Sequence, residues 1–303
     1  MLTGRFAPTP SGALHAGSLV AALASCVDAR QQKGRWLLRI DDTDTPRIVV
    51  GAIERFVPDL RDHALEPDAT LRQSERLEHY REATRELVSR GLVFACHCSR
   101  RELMPGTPYP GTCRANVLDE AAFDAWLAGA RGSRTAETAL RVRMTASDHH
   151  IVFDDRLHGQ QRTTRAAVGD LVLWRRDGVP SYALSCAIDD ALLVSDVVRG
   201  EDLLDATAAQ VGLMETLGLT IPRYAHVPLL CDADGRKLGK QTRAKPIASH
   251  PAIDNLERAW SVLRQTTIGA HEHRDDAGRF VAIATERWDI QQLQCAPMPR
   301  HDR

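Results

Sequence analysis

Of the 39 lysines and arginines in the chain only four are lysine, and three of those, Lys237, Lys240 and Lys245, stand in the stretch DGRKLGKQTRAK. Elsewhere the chain meets its need for positive charge with arginine, so this loop has kept a compact ammonium on a flexible stem for a reason. A lysine-rich surface loop is the plain alternative, and the scarcity of lysine elsewhere weighs against it. A second candidate is GALHAGS, residues 12–18, which imitates a phosphate-binding loop but lacks the lysine that should follow its second glycine. It offers His15 and the small Gly17 at the mouth of a helix, where free N–H groups and the dipole favour anions. A purely structural histidine is the alternative there. A third is Cys96-x-Cys98, followed after ten residues by Tyr109 and after three more by Cys113. Three thiolates suit a tetrahedral zinc site, with His97 as the fourth donor by spacing alone and free or redox-active thiols as the alternative.

These residues need a scaffold. LTGRFAP reads as a short buried strand, TPSGALH as a turn, and Leu19, Val20, Leu23 and Val27 have helical spacing up to a stop near Gly34. RWLLRI reads as a second strand. A strand, a glycine-bearing loop, a helix and a second strand form the right-handed crossover that opens a doubly wound parallel-sheet, Rossmann-like α/β fold. Ligands sit beyond the carboxyl ends of such strands, where RFAPTPSG and DDTD (Asp41 to Asp44) fall. Residues 1–90 are therefore expected to be the first half of a nucleotide-binding domain. Residues 91–161, rich in cysteine, proline and glycine at their start, read as an insertion with a helix around Phe123 to Leu127 and a strand at LRVRM. The nucleotide fold is expected to resume over 162–245, with two apolar strands and a polar turn at Asp177–Gly178, leaving 246–303 as a short, mainly helical region.

The balance of 43% hydrophobic and 26% charged residues is that of a chain able to bury a proper core. A net charge of −1 gives no overall field to steer nucleic acid, so a polyanionic partner would have to be met by a local patch. Arg156, Arg162, Arg165, Arg175 and Arg176, which face the single acid Asp170, could be that patch or a solvated face. No run of about 18 apolar residues occurs and the N-terminus is strand-like, so a cytoplasmic, membrane-free protein, taken as a monomer, is expected. Seven cysteines suit reduced thiols better than a disulfide framework, and Cys26, Cys186 and Cys231, in apolar runs, read as core packing.

The ordered set GRFAPTPSGALHAGSL, RIDDTD, RQSER, RRDGVPSYALSCAIDD, VVRGEDLL and KLGKQ resembles the glutamyl branch of the class I aminoacyl-tRNA synthetases, from about residue 3 to 245. HAGS stands where that class has its His-x-Gly-His signature, and KLGKQ where it has its mobile lysine loop. The resemblance implies that glutamate attacks the α-phosphorus of magnesium-bound ATP, pyrophosphate leaves, and the adenylate passes its acyl group to a hydroxyl on RNA. His15, Lys237 and Lys240 would be catalytic, with His15, Gly17, Ser18 and Lys240 on ATP. Glutamate would be held by the segment Arg5, Phe6, Ala7, Pro8 and Thr9 together with Asp41, Tyr182 and Arg199, arginine being suited to bidentate carboxylate recognition.

Two positions depart from the branch. Asp41 stands where glutamate is usual, one methylene shorter, and Gly239 stands where the lysine loop has serine. The resemblance also makes Tyr109, rather than His97, the fourth ligand beside Cys96, Cys98 and Cys113, giving a closed, structural zinc site. After Lys245 only 58 residues remain, too few for the helical domains that read an anticodon. That truncation implies the paralogous group that activates glutamate without tRNA and attaches it to queuosine, the modified wobble base of tRNA(Asp). Transfer to tRNA(Glu) with a separate partner or to a non-RNA nucleophile, and a non-catalytic tRNA-binding module, are the rival expectations.

Overall fold

The computed structural model describes residues 1–99, 101–103, 106–130, 137–144, 149–231 and 245–293. Along the chain these form β1 (Thr3–Phe6), α1 (Ala16–Gln31), β2 (Arg35–Ile40), α2 (Ala52–Asp62), β3 (Ala69–Arg72), α3 (Leu77–Ser89), β4 (Val93–Cys96) and α4 (Glu120–Ala130). Then follow β5 (Ala139–Val142), β6 (His150–Asp155), β7 (Gly159–Thr164), α5 (Arg165–Val168), β8 (Leu171–Trp174), α6 (Tyr182–Leu193), β9 (Asp196–Gly200) and α7 (Leu204–Leu217). The chain goes on through β10 (Arg223–Val227), α8 (Ala252–Val262), α9 (Ala270–His273) and α10 (Ala277–Arg287).

β1, β2 and β3 form one parallel ladder, and β9, β10 and β6 another, to which β7 adds antiparallel along β6. The two meet where β1 runs beside β9: Ser195 N–H donates to the Thr3 carbonyl at 2.9 Å. The spatial order β3-β2-β1 then β9-β10 reverses direction between β1 and β9, the switch point at which a doubly wound sheet opens a crevice.

α1 is buried over most of its circumference, including Ser25 and Asp28. The sheet takes one face, and α8 and α10 take the other, so the C-terminal region completes the first core with Trp260, Phe280 and Trp288. Asp28, 1% exposed, is satisfied by Arg156 at 2.7 and 2.8 Å and by the Trp288 indole N–H at 2.8 Å.

The sheets cut across the boundaries read from the sequence. β6, within the expected insertion, pairs with β10 through Asp155, while β8, within the expected second half, closes an antiparallel sheet with β4 and β5. Burial alternates along HIVFDD, with Ile151 and Phe153 inward, as a strand packed on one face requires. SYALSCAIDDALL forms α6, capped by Ser181, whose Oγ accepts the Leu184 N–H. The arginines of 156–176 do not form one basic face. Arg156 pairs with Asp28, Arg165 with Glu215, and Arg175 with Asp44 and Asp177, acids mostly remote in sequence. No helix among the described residues is long and apolar enough to cross a membrane.

Candidate active site and metal centre

A cleft of about 540 Å³ opens at the carboxyl ends of β1 and β9. Its walls bring together Arg5, Phe6, Ala7, Pro8, Thr9, His15, Gly17, Ser18, Tyr182 and Arg199, ten residues singled out from the sequence. Lys237, Lys240 and Gly239 lie outside the described residues. The described residues on either side of that stretch flank the cleft: Leu229 lines it, while Pro246 forms a bridge to His15 and Ile247 N–H donates to the Leu14 carbonyl at 2.9 Å.

His15 caps α1. Its Nδ1 accepts the Ser18 N–H at 3.2 Å, which places the ring proton of the neutral imidazole on Nε2. With Gly17 and Ser18 also lining the cleft, the first turn of α1 turns its N–H groups and positive dipole end toward that space.

Behind the cleft lies a buried ionic lattice. Arg5 donates through Nε and Nη2 to Asp190 at 3.1 and 3.2 Å, and Arg39 donates to Asp190 at 2.7 Å. Burial works to raise the Asp190 carboxyl, but Arg5 and Arg39 outweigh it and bring it down to about 2. Asp41 does not line the cleft; it is 7% exposed and gripped by Arg39 at 2.7 and 3.2 Å. Burial lifts its carboxyl above the usual range even against Arg39. The shorter side chain therefore ends on its own strand's arginine.

The other motifs tie this lattice to the fold. Asp42 accepts the N–H and hydroxyl of Ser74, both at 2.8 Å, and Asp189 accepts from Gln73, Arg76 and Tyr80. Cys186 is buried as expected, pushed up to about 12 by burial, but it also accepts from Arg39 at 3.2 Å, and Cys231 is exposed rather than packed in the core.

Arg199 differs from Arg5 and Arg39. It is 4% exposed, no carboxylate among the described residues pairs with it, and its partners are His226, Thr207 and Gln210. Its Nη1 is buried without a hydrogen-bond partner. A buried cation in that state is costly until an anion joins it.

Sequence reasoning missed Arg39, Asp190 and His226, which hold the site without lining it, and Asp202, Val198 and Leu229, which line it. The signal for Asp190 was the acidic pair Asp189–Asp190 closing an apolar run, SYALSCAI, where unpaired buried carboxylates are not tolerated. His226 carried none beyond its place in an apolar strand.

On the far side of the antiparallel sheet, Cys96, Cys98 and Cys113 form the described group of metal-binding side chains, with sulfurs mutually within 4.8 Å and His97 not among them. Cys98 and Cys113 sulfurs are 3.6 Å apart, and the Tyr109 hydroxyl is 3.5 Å from Cys96 and 3.6 Å from Cys98. A tetrahedron with Zn–S of about 2.3 Å and Zn–O of about 2.0 Å has edges of roughly 3.8 and 3.5 Å, so these four donors fit. The Tyr109 hydroxyl draws the Cys113 thiol down to about 7. Arg176 binds the carbonyls of His97 and Cys98, anchoring the cysteine loop to the turn after β8.

Residues 1–271 match the family described as tRNA synthetases class I (E and Q), catalytic domain. The glutamyl-Q tRNA(Asp) synthetase of Pseudomonas aeruginosa is 42% identical over 302 residues, 98% of this chain and 97% of that protein. The glutamyl-Q tRNA(Asp) synthetase of Ectopseudomonas mendocina is 45% identical over 266 residues, 86% of this chain and 85% of its own. The glutamate-tRNA synthetase structure from Elizabethkingia anophelis superposes with a TM-score of 0.76 at 23% identity, covering 97% of this chain and 67% of that one, a likeness of fold.

Proposed function

The chain belongs to the class I glutamyl and glutaminyl tRNA synthetase family, and we propose that it activates L-glutamate with magnesium-bound ATP, without tRNA, and glutamylates queuosine in tRNA(Asp). Arg199 carries the amino-acid half of this reading: it lines the cleft, no carboxylate among the described residues pairs with its buried guanidinium, and its Nη1 has no hydrogen-bond partner, which together call for a carboxylate. The side-chain carboxylate of glutamate meets it, and Tyr182, 43% exposed at the cleft, closes over the chain. ATP lies along the start of α1, its phosphates against the helix N-terminus and the Nε2–H side of His15, its adenine against Gly17 and Ser18.

The α-carboxylate oxygen of glutamate attacks the α-phosphorus in line, the bond to the bridging oxygen breaks, and pyrophosphate carries the leaving charge. Lys240, with Lys237, neutralises that charge; the flanking residues Leu229 and Pro246 at the cleft support this assignment. A hydroxyl of the queuosine cyclopentenediol then attacks the acyl carbonyl and AMP departs. The acceptor assignment rests on the relatives' names and on their match along nearly the whole chain. Cys96, Cys98 and Cys113, with the Tyr109 hydroxyl beside them, would hold one zinc, whose part would be to brace the cysteine loop. ATP–pyrophosphate exchange that depends on glutamate and proceeds without tRNA tests the activation step; exchange that requires tRNA contradicts it.

A further inference from the structure

Arg199 is aimed by a chain of groups that starts on another strand. The Asp155 carboxylate, at the end of β6, accepts the N–H groups of Leu157 and His158 at 2.9 Å each through Oδ1. Its Oδ2 lies 2.6 Å from His226 Nδ1. An ionised carboxylate can only accept, so the His226 proton sits on Nδ1 and the lone pair of Nε2 faces Arg199, whose Nε–H donates to it at 3.1 Å. Burial holds the imidazole below its ordinary pKa, and neighbouring Arg199 acts in the same sense, against Asp155. A protonated ring would set N–H against N–H beside a buried cation. The ring is kept flat against Tyr224, 13° from parallel, and the Tyr224 ring also lies under the Arg199 guanidinium at 5.6 Å. Thr207 and Gln210, on α7, take up Nη2 at 2.6 and 2.9 Å. With Nε and Nη2 occupied, Nη1 is the one nitrogen of the guanidinium left without a hydrogen-bond partner.

We propose that Asp155 and His226 are positioning residues that fix the rotamer of Arg199 and so hold its guanidinium, at the cleft lining, for the side-chain carboxylate of the amino-acid substrate. The inference rests on the glutamate reading above. It gives β6, a strand of the segment expected to be an insertion, a part in amino-acid recognition.

The substitutions His226→Gln and His226→Asn test it. A glutamine carbonyl can occupy the place of Nε2, whereas asparagine reaches only that of Nδ1. In glutamate-dependent ATP–pyrophosphate exchange with the full chain, His226→Asn is expected to raise the KM for glutamate about tenfold or more, with the KM for ATP within about twofold of the parent. His226→Gln keeps the glutamate KM within about threefold. A merely structural role would lower the amount of active enzyme, and hence kcat, without this split. Equal glutamate KM values for both variants, or a parallel rise in the KM for ATP, overturns the assignment. A parent enzyme with no exchange on glutamate overturns the activity itself, and this inference with it.

Discussion

Arg39 and Asp41, two residues apart at the end of one strand, form a buried bidentate ion pair at 2.7 and 3.2 Å, and the same guanidinium reaches Asp190 at 2.7 Å. The acid that the family resemblance placed among the residues holding glutamate is thus engaged within the protein. Replacing Asp41 by alanine strips a buried guanidinium of one partner while leaving it Asp190, a change that costs about 1–3 kcal/mol. Urea unfolding of the parent and of Asp41→Ala measures it, and a loss under about 1 kcal/mol would contradict the pairing.

Asp190 makes stability depend on pH. Its folded pKa of about 2 lies below the model-peptide value of 3.8, so its contribution is present above about pH 4 and is lost as pH falls toward 2. A shift of this size corresponds to about 2 kcal/mol. The difference in unfolding free energy between the parent and Asp190→Asn should shrink across that window; a constant difference would show that Asp190 is not held ionised by Arg5 and Arg39.

Much of this was legible in the sequence, and the division has a physical cause. The crossover from β1 through α1 to β2 was readable because local periodicity, the turn at Ser11–Gly12 and the stop near Gly34 all agree there. The cleft walls were readable because their residues come from contiguous motifs at strand ends. RIDDTD, RQSER and the Asp189–Asp190 pair were visible as motifs, but their role was not: they bond mainly to one another, Asp42 to Ser74 and Asp189 to Arg76, through contacts that only the folded chain brings together. Asp155 and His226 were silent for the same reason, being separated by 71 residues and joined across neighbouring strands. The chain's charge balance likewise hid the ion pairing of the 156–176 arginines.

Lys240→Ala should leave the fold intact and lower the rate of adenylate formation by about two to three orders of magnitude, the scale expected when one charge on the transferring phosphate is lost. Circular dichroism with single-turnover pyrophosphate release separates the two quantities. Undiminished release would remove Lys240 from the reaction.

Metal analysis of the purified protein should find one zinc per chain, and Cys98→Ser should lose it along with the order of the segment around Tyr109. Tyr109→Phe keeps the thiolates and should weaken zinc retention less than Cys98→Ser does. A parent protein free of zinc after metal-replete expression would refute the centre.

The acceptor is tested most directly by incubating the protein with ATP, magnesium and labelled glutamate, using tRNA from cells that make queuosine and from cells that cannot. The account predicts label on tRNA(Asp) from the first pool alone. Label on tRNA(Glu) in both pools would contradict it and mark an enzyme that charges the acceptor end.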